Sequence, residues 1–210
     1  MSASQSGVRN LPLIISIAIF TVVSGGLITF TGRYLEILVM GDALTVIAAG
    51  LIFTLDIGSP SREWIGYQIM AGIGIGATFQ VPIIVGQGIS GASDVSSVTA
   101  IILFFQTLWG AVFITMAQTL FANKLLSAVP LNVPGVSPAS VLAVGATELR
   151  SHFTAEQLPG ILVSYMAGLT DAFTMLIPLA GLATVVAIAG VVFDYRVLNP
   201  DDLKNPGGAA

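Results

Sequence analysis

The stretch Leu11–Phe30, LPLIISIAIFTVVSGGLITF, holds twenty residues without one charge. A run of that length and polarity matches a hydrocarbon core about 30 Å thick, and in lipid its backbone must satisfy its own hydrogen bonds. It therefore predicts a membrane-spanning helix. Four further runs follow, at 37–55, 64–85, 98–121 and 174–193, so the chain is expected to be an all-α polytopic membrane bundle of about five spans. Only 9% of its 210 residues are charged, against about 25% in soluble domains. Too few ionisable groups exist to make a water-facing surface. The lipid bilayer is thus the first partner implied. A secretory signal does not account for the first run, because MSASQSGVRN lacks a basic cluster and the apolar stretch is too long.

Composition also excludes several function classes. Without cysteine there is no disulfide, thiolate metal site or cysteine nucleophile. The single histidine, His152, has no neighbouring His or Cys and is expected to be a solvated loop residue, so no metal and no cofactor is expected. A net charge of −4 argues against nucleic acid as a partner. Spacings that suggest a catalytic triad or a carboxylate pair are missing, and no enzymatic function is expected.

The third run carries the most information. In GYQIMAGIGIGATFQVPIIVGQ, Gly72, Gly74 and Ala77 fit a dinucleotide fingerprint. That fingerprint needs a preceding strand and a βαβ unit, whereas the upstream run has the length of a membrane helix. Gly72 and Gly76 also form a G-x-x-x-G pair, with Gly74 and Ala71 nearby, and such small residues let membrane helices approach closely. Pro82 removes a backbone hydrogen bond and predicts a kink in this helix. Gln80 and Gln87, seven residues apart, point in directions about 20° apart on a continuous helix. Their amides should face protein or a wet cavity, as should Gln106 and Gln118 of the fourth run. Two roles are open to them: hydrogen bonding to a substrate in a central cavity, or bonding between helices, the latter favoured for Gln87 and Gln118. Asp42 is the one acid within a span and a functional candidate on that ground, although it could also reach interfacial water or pair with Arg33. Asp171 and Asp194 flank the last run and mark its limits.

The connections are short except for 122–173, where LLSAVPLNVPGVSP is expected to break the helix. Leu158, Ile161, Leu162, Tyr165 and Leu169 then recur at helical spacing and predict an amphipathic interfacial helix. Residues 1–195 form one transmembrane domain, and 196–210 are expected to be an unstructured polar tail. Trp64, Tyr67, Tyr195 and Tyr34 lie near run ends, as interfacial rings do. Basic residues do not orient the chain. Arg9, Arg62, Lys124 and Arg150 fall on one side and Arg33, Arg196 and Lys204 on the other, a tie once Arg150 is discounted as distant from a span.

Taken in order, SGVRNLPLI, SGGLITFTGRY, the glycine-rich third run, FFQTLWGAVFITMAQTLFANKL, VGATELRS and LPGILVSYMAGLTDAF resemble the C-terminal part of fungal major facilitator superfamily transporters. The nearest branch is the 14-span drug:proton antiporters, mycotoxin efflux pumps among them. The resemblance implies that the chain corresponds to the last five spans of a multi-pass pump in the plasma membrane, or in a vacuolar or vesicle membrane. It implies small amphipathic substrates and protons as partners of the intact transporter. It places Arg9 and the long connection outside the cell, and the Gly32–Arg33 loop and tail in the cytoplasm. The loop motif G-x-x-x-D-x-x-G-R is echoed at Gly26–Arg33 without its acid, and with the acid goes the ground for giving Arg33 a gating role. The family's antiporter signature helix and its proton-coupling groups lie in the N-terminal bundle, which this chain does not include. Five spans supply less than one bundle, so the polypeptide alone is not expected to transport. A further expectation is a non-transporting membrane protein that associates with a full-length relative, and a third is a small anchor without a ligand.

Overall fold

The computed structural model describes residues 3–146, 148–193, 197–198 and 200–204, with side chains from residue 7 and without those of 202 and 204. Asp194, Tyr195, Arg196 and the tail end beyond 204 lie outside the described residues. Among the described residues the chain forms ten helices and no strand. They are α1 (Ala3–Thr31), α2 (Tyr34–Phe53), α3 (Ser61–Phe79), α4 (Val81–Ile89), α5 (Val95–Asn132), α6 (Pro138–Ala143), α7 (Leu149–His152), α8 (Leu158–Thr174), α9 (Leu176–Phe193) and α10 (Pro200–Lys204). Five helices or helix pairs are long and apolar enough to cross a membrane: α1, α2, α3 with α4, α5, and α8 with α9.

Helix α3 lies between α1 and α2, while α9 packs on the other flank of α2. This half is held by backbone approach. A Cβ on Gly72 would meet Ser16 Cβ at 2.5 Å and Leu13 O at 2.7 Å, and one on Gly76 would lie 2.6 Å from Ile17 O. Gly74 points the other way, where a Cβ would come within 2.7 Å of Gly41 O on α2. The G-x-x-x-G pair thus serves α1 and Gly74 serves α2, as expected when packing rather than hydrophobicity drives association in lipid. Ser24 Oγ completes the α1–α3 contact by donating to Gly76 O at 3.3 Å.

The other half is organised by α5. Its 38 residues span about 57 Å, well beyond a bilayer core. The helix runs past the expected end at 121 and through LLSAVPLN to Asn132, with Pro130 in its last turn. Proline there removes only the bond to the carbonyl of Leu126, and the end of the helix is held by packing instead. Leu125, Val129, Val133, Val141, Leu149 and Ile161 form a buried cluster joining the foot of α5 to α6, α7 and α8. Phe121 meets Tyr165 edge-on at 4.9 Å, and Asn132 Nδ2 donates to the buried Ser164 Oγ at 3.0 Å. The long connection is therefore a small packed cap. Helix α8, expected at the interface, packs along α5 and leads into α9 after a one-residue interruption at Met175. His152 ends α7, is exposed, and lies 3.7 Å from Glu148.

The tail also departs from expectation. Leu198 N–H donates to Gly32 O at 3.1 Å, and α10 packs on α1 and α4. Leu203 is buried with Ile28 and Val81, seated over Gly88, where a Cβ would meet its Cδ2 at 2.5 Å. The polar composition of LNPDDLKNPGGAA concealed two leucines that reach an apolar groove. Gly32 takes φ +72°, the left-handed conformation that lets the chain turn from α1 into α2 beneath Leu198.

Candidate functional site

The glycine-rich third run becomes two helices with a break at Gln80. Pro82 has no N–H for Thr78 O, and its ring crowds that carbonyl. The interruption consequently falls on the N-terminal side of the proline, two residues earlier than the residue that causes it. Gln80 caps both helices, with φ −87° and ψ −14°, and its N–H turns back to Thr78 O. Helical bonding resumes with Ile84 N–H donating to Gln80 O at 3.0 Å. The released carbonyl of Phe79 is taken by another helix: Gln106 Nε2, on α5, donates to it at 3.3 Å. A side-chain amide thus replaces the backbone donor that the break removes.

The four glutamines are distributed by this break. Gln80 and Gln87 do not share a stripe on one helix, because they belong to different helices. Gln80 is half-buried, and its side chain makes no hydrogen bond among the described residues. Gln87 Nε2 donates to Thr99 Oγ1 at 3.1 Å and so ties α4 to α5. Gln118, for which bonding between helices was favoured, is exposed and makes no hydrogen bond among the described residues; it lines a groove with Phe121, Leu169 and Phe173. Gln106 is thus the amide that meets the break, and Gln80 is the one left available beside it.

The charged candidates separate as well. Arg33 lies 3.7 Å from Glu36, one turn along, rather than beside Asp42. Asp42, half-buried on α2, has no ion pair or hydrogen bond among the described residues. Its neighbour Gly41 is the residue that faces α3. Arg9 lies over the Trp64 ring, 5.8 Å from its centroid, joining the first and third spans near their ends.

Sequence reasoning passed over Gln68. Its Oε1 is buried without a partner, one turn before Gly72 on the glycine-bearing stretch of α3. An unpaired buried acceptor costs about 1–3 kcal/mol. The i, i+4, i+8 spacing of Gln68, Gly72 and Gly76 was the signal that could have found it.

The fold leaves the middle of α5 uncovered around most of its circumference. Midway along α5, Phe104 is 61% exposed, Trp109 52% and Ile114 61%. The bundle is open along α5.

Comparison with known proteins identifies what such a bundle belongs to. The chain is 41% identical over 194 residues to the MFS-type transporter thnB of Trichoderma harzianum, covering 92% of this chain and 33% of the relative. It is 43% identical over 188 residues to the efflux pump roqT of Penicillium rubens, covering 90% and 35%. With the efflux pump aunC of Aspergillus niger it shares 36% identity over 205 residues, covering 98% and 38%. No family model matches the chain, and no solved structure does. The chain spans about a third of the length of the curated relatives it matches. Continuous likeness across nearly the whole chain, joined to five apolar helices, places it by sequence in the major facilitator superfamily, as a counterpart of the C-terminal third of fungal MFS-type transporters and efflux pumps.

Proposed function

We propose that this chain is the C-terminal portion of a proton-coupled efflux transporter that exports small amphipathic compounds across the plasma membrane. The observation that carries the reading is the break at Gln80, closed by Gln106 from a neighbouring helix. A discontinuous membrane helix exposes backbone polar groups where a substrate can meet them, and it provides a pivot for gating. In this reading Gln80 offers its amide to the passing compound. Gln106 holds the carbonyl of Phe79 while α4 is in its present position, and it exchanges that carbonyl for substrate when α4 moves. The apolar surroundings accept varied compounds, and the few amides orient them.

These residues alone do not transport. Alternating access needs one bundle to rock against another, and five membrane-length helices or helix pairs supply less than one bundle. The chain should therefore be tested in a chimera, replacing the matching third of roqT. The chimera is expected to export the compound that roqT exports, with Gln80→Leu and Gln106→Leu each lowering the rate several-fold at equal surface expression. Export by the chain alone would refute its dependence on a second bundle. Unchanged export in both leucine variants would reduce the amides to packing groups.

The uncovered face of α5 also supports a second reading, in which the chain is a separate membrane protein that associates with a full-length relative. Co-purification of roqT with the tagged chain, lost on Trp109→Gln, is the expected outcome there.

A further inference from the structure

Helices α3 and α4 are two halves of one run, yet their glycines seat them differently. On α3, a Cβ at Gly72 or Gly76 would strike main-chain atoms of α1, Leu13 O at 2.7 Å and Ile17 O at 2.6 Å. On α4, a Cβ at Gly86 would meet the tip of Ile102, Cδ1 at 2.5 Å, and one at Gly88 the tip of Leu203, Cδ2 at 2.5 Å. Side-chain tips change rotamer, whereas packed backbone moves only as a rigid element. Helix α3 is thus fixed in the bundle, and α4 rests on contacts that can be made and broken.

The supports of α4 lie on two sides. Toward α5 it has Gly86 against Ile102 and the bond from Gln87 Nε2 to Thr99 Oγ1. Gly88 follows two residues later, about 200° round the helix, and there the chain end covers it. Leu203 of α10 sits over Gly88 and is buried with Val81 and Ile28, and Leu198 Cδ1 would lie 3.9 Å from a Cβ on the same glycine. The tail is anchored before it crosses α4, because Leu198 N–H donates to Gly32 O at 3.1 Å. Gly32 carries no Cβ to strike Leu198 O, so the anchor needs a glycine as the seat does. Since α10 packs on both α1 and α4, the tail bridges a fixed helix and a movable one.

We infer that the tail is a latch: Leu203, seated over Gly88, holds α4 in place, and its release lets α4 pivot at Gln80. Hinges are a few residues at element ends, and Gln80 is the residue shared by the ends of α3 and α4. Chain ends open at low free energy, so the latch releases without unfolding the bundle. While it is closed, Gln106 keeps the carbonyl of Phe79; when it opens, α4 moves and that bond is given up. The consequence for export rests on the transport reading, whereas the latch itself uses residues of this chain alone.

The chain has no cysteine, so introduced thiols report without background. Ile89→Cys on α4 and Ile47→Cys on α2, both exposed, carry spin labels in the purified full chain in phosphatidylcholine nanodiscs, and double electron–electron resonance reads their separation. The native tail should give one main distance. Leu203→Asp and Leu198→Asp should each raise the population at other distances at least threefold, with faster hydrogen exchange at 200–204. Leu203→Met, apolar and similar in volume, should keep the native distance. Circular dichroism and elution volume identify variants that fold. A freed tail with an unchanged distance would overturn the latch, as would a tail that stays protected in both aspartate variants. Loss of the whole fold in both would make the tail a structural foot and overturn it too. In the roqT chimera, a disulfide closed by copper phenanthroline between Gly88→Cys and Leu203→Cys should stop export, reduction should restore it, and either single cysteine should export as before. Export that continues with the disulfide closed would remove the latch from transport. A chimera that exports nothing would count against the transport reading and leave the distance measurement to decide the latch.

Discussion

Helices α3 and α5 are both apolar membrane helices, yet they are built for opposite surroundings. Helix α3 buries Ala71, Gly72, Gly74 and Gly76 against two neighbours at backbone distance. Helix α5 has Phe104, Phe105, Leu108 and Trp109 exposed along its middle, and its buried residues are confined to the foot, at Leu125, Ala128 and Val129. Small side chains mark the helix that others press against, and bulky ones mark the helix whose middle this chain leaves uncovered. In lipid, hydrophobicity does not distinguish these cases, because tails and leucines are equally apolar. Side-chain size does.

The largest effect should come from filling the α3 interface. Gly76→Leu places atoms where Ile17 O and Ile17 Cα already stand within about 3 Å, and overpacking of this kind costs roughly 3 kcal/mol or more. A fall in the thermal unfolding midpoint in detergent, with loss of monodisperse elution, is the expected reading. Gly110→Ala, on α5 with nothing within 4 Å, serves as the opposite case and should be neutral or stabilise by about 0.5–1 kcal/mol. Equal losses from both substitutions would dissolve the contrast.

Next comes the strap that α10 lays across α4. Leu203→Ala empties the space over Gly88 and should cost about 2 kcal/mol, the lower end for a buried leucine because 9% of it remains exposed. Hydrogen exchange should rise at 81–89 and 200–204 together. Exchange confined to 200–204 would mean that the strap does not stabilise α4.

A smaller effect is expected where the two helices meet. Gln106→Leu removes the donor to Phe79 O and should lower stability by about 1 kcal/mol, with faster exchange around residues 79–84. No change there would show that water serves the carbonyl equally well. The smallest effect belongs to the open face: Phe104→Ser and Trp109→Gln should alter the stability of the isolated chain by less than about 0.5 kcal/mol. A large loss would reveal that α5 is packed on that side after all.

Much of this architecture was legible in the chain. Leu11–Phe30 could only cross a membrane, and each of the other four expected runs overlaps a membrane-length helix or helix pair. Gly72 and Gly76, read as a helix-packing pair, lie against α1 in the fold, whereas Pro82, read as a kink, follows a break between two helices. The location of that interruption at Gln80 was not legible, since the carbonyl that a proline displaces lies four residues upstream and the compromise between them is tertiary. Nor could sequence spacing show that Gln87 would bond to Thr99 and Gln106 to Phe79 O, because the donors and acceptors belong to different helices. The same holds for Leu203, whose polar neighbours hid its burial, and for Asp171, which marked a helix end in the sequence and lines a cleft with Asp56 and Lys124 in the fold.

The sequence by itself determined the solvent, the all-helical class and the family, because the length of an apolar run and the demand for internal hydrogen bonds leave no other solution in lipid. Only the tertiary structure decided which glycine serves which neighbour, which amide closes the broken helix and which charges share a cleft. Those outcomes depend on how helices are rotated and offset against one another, and in lipid such rotations are set by contacts between residues far apart in the chain.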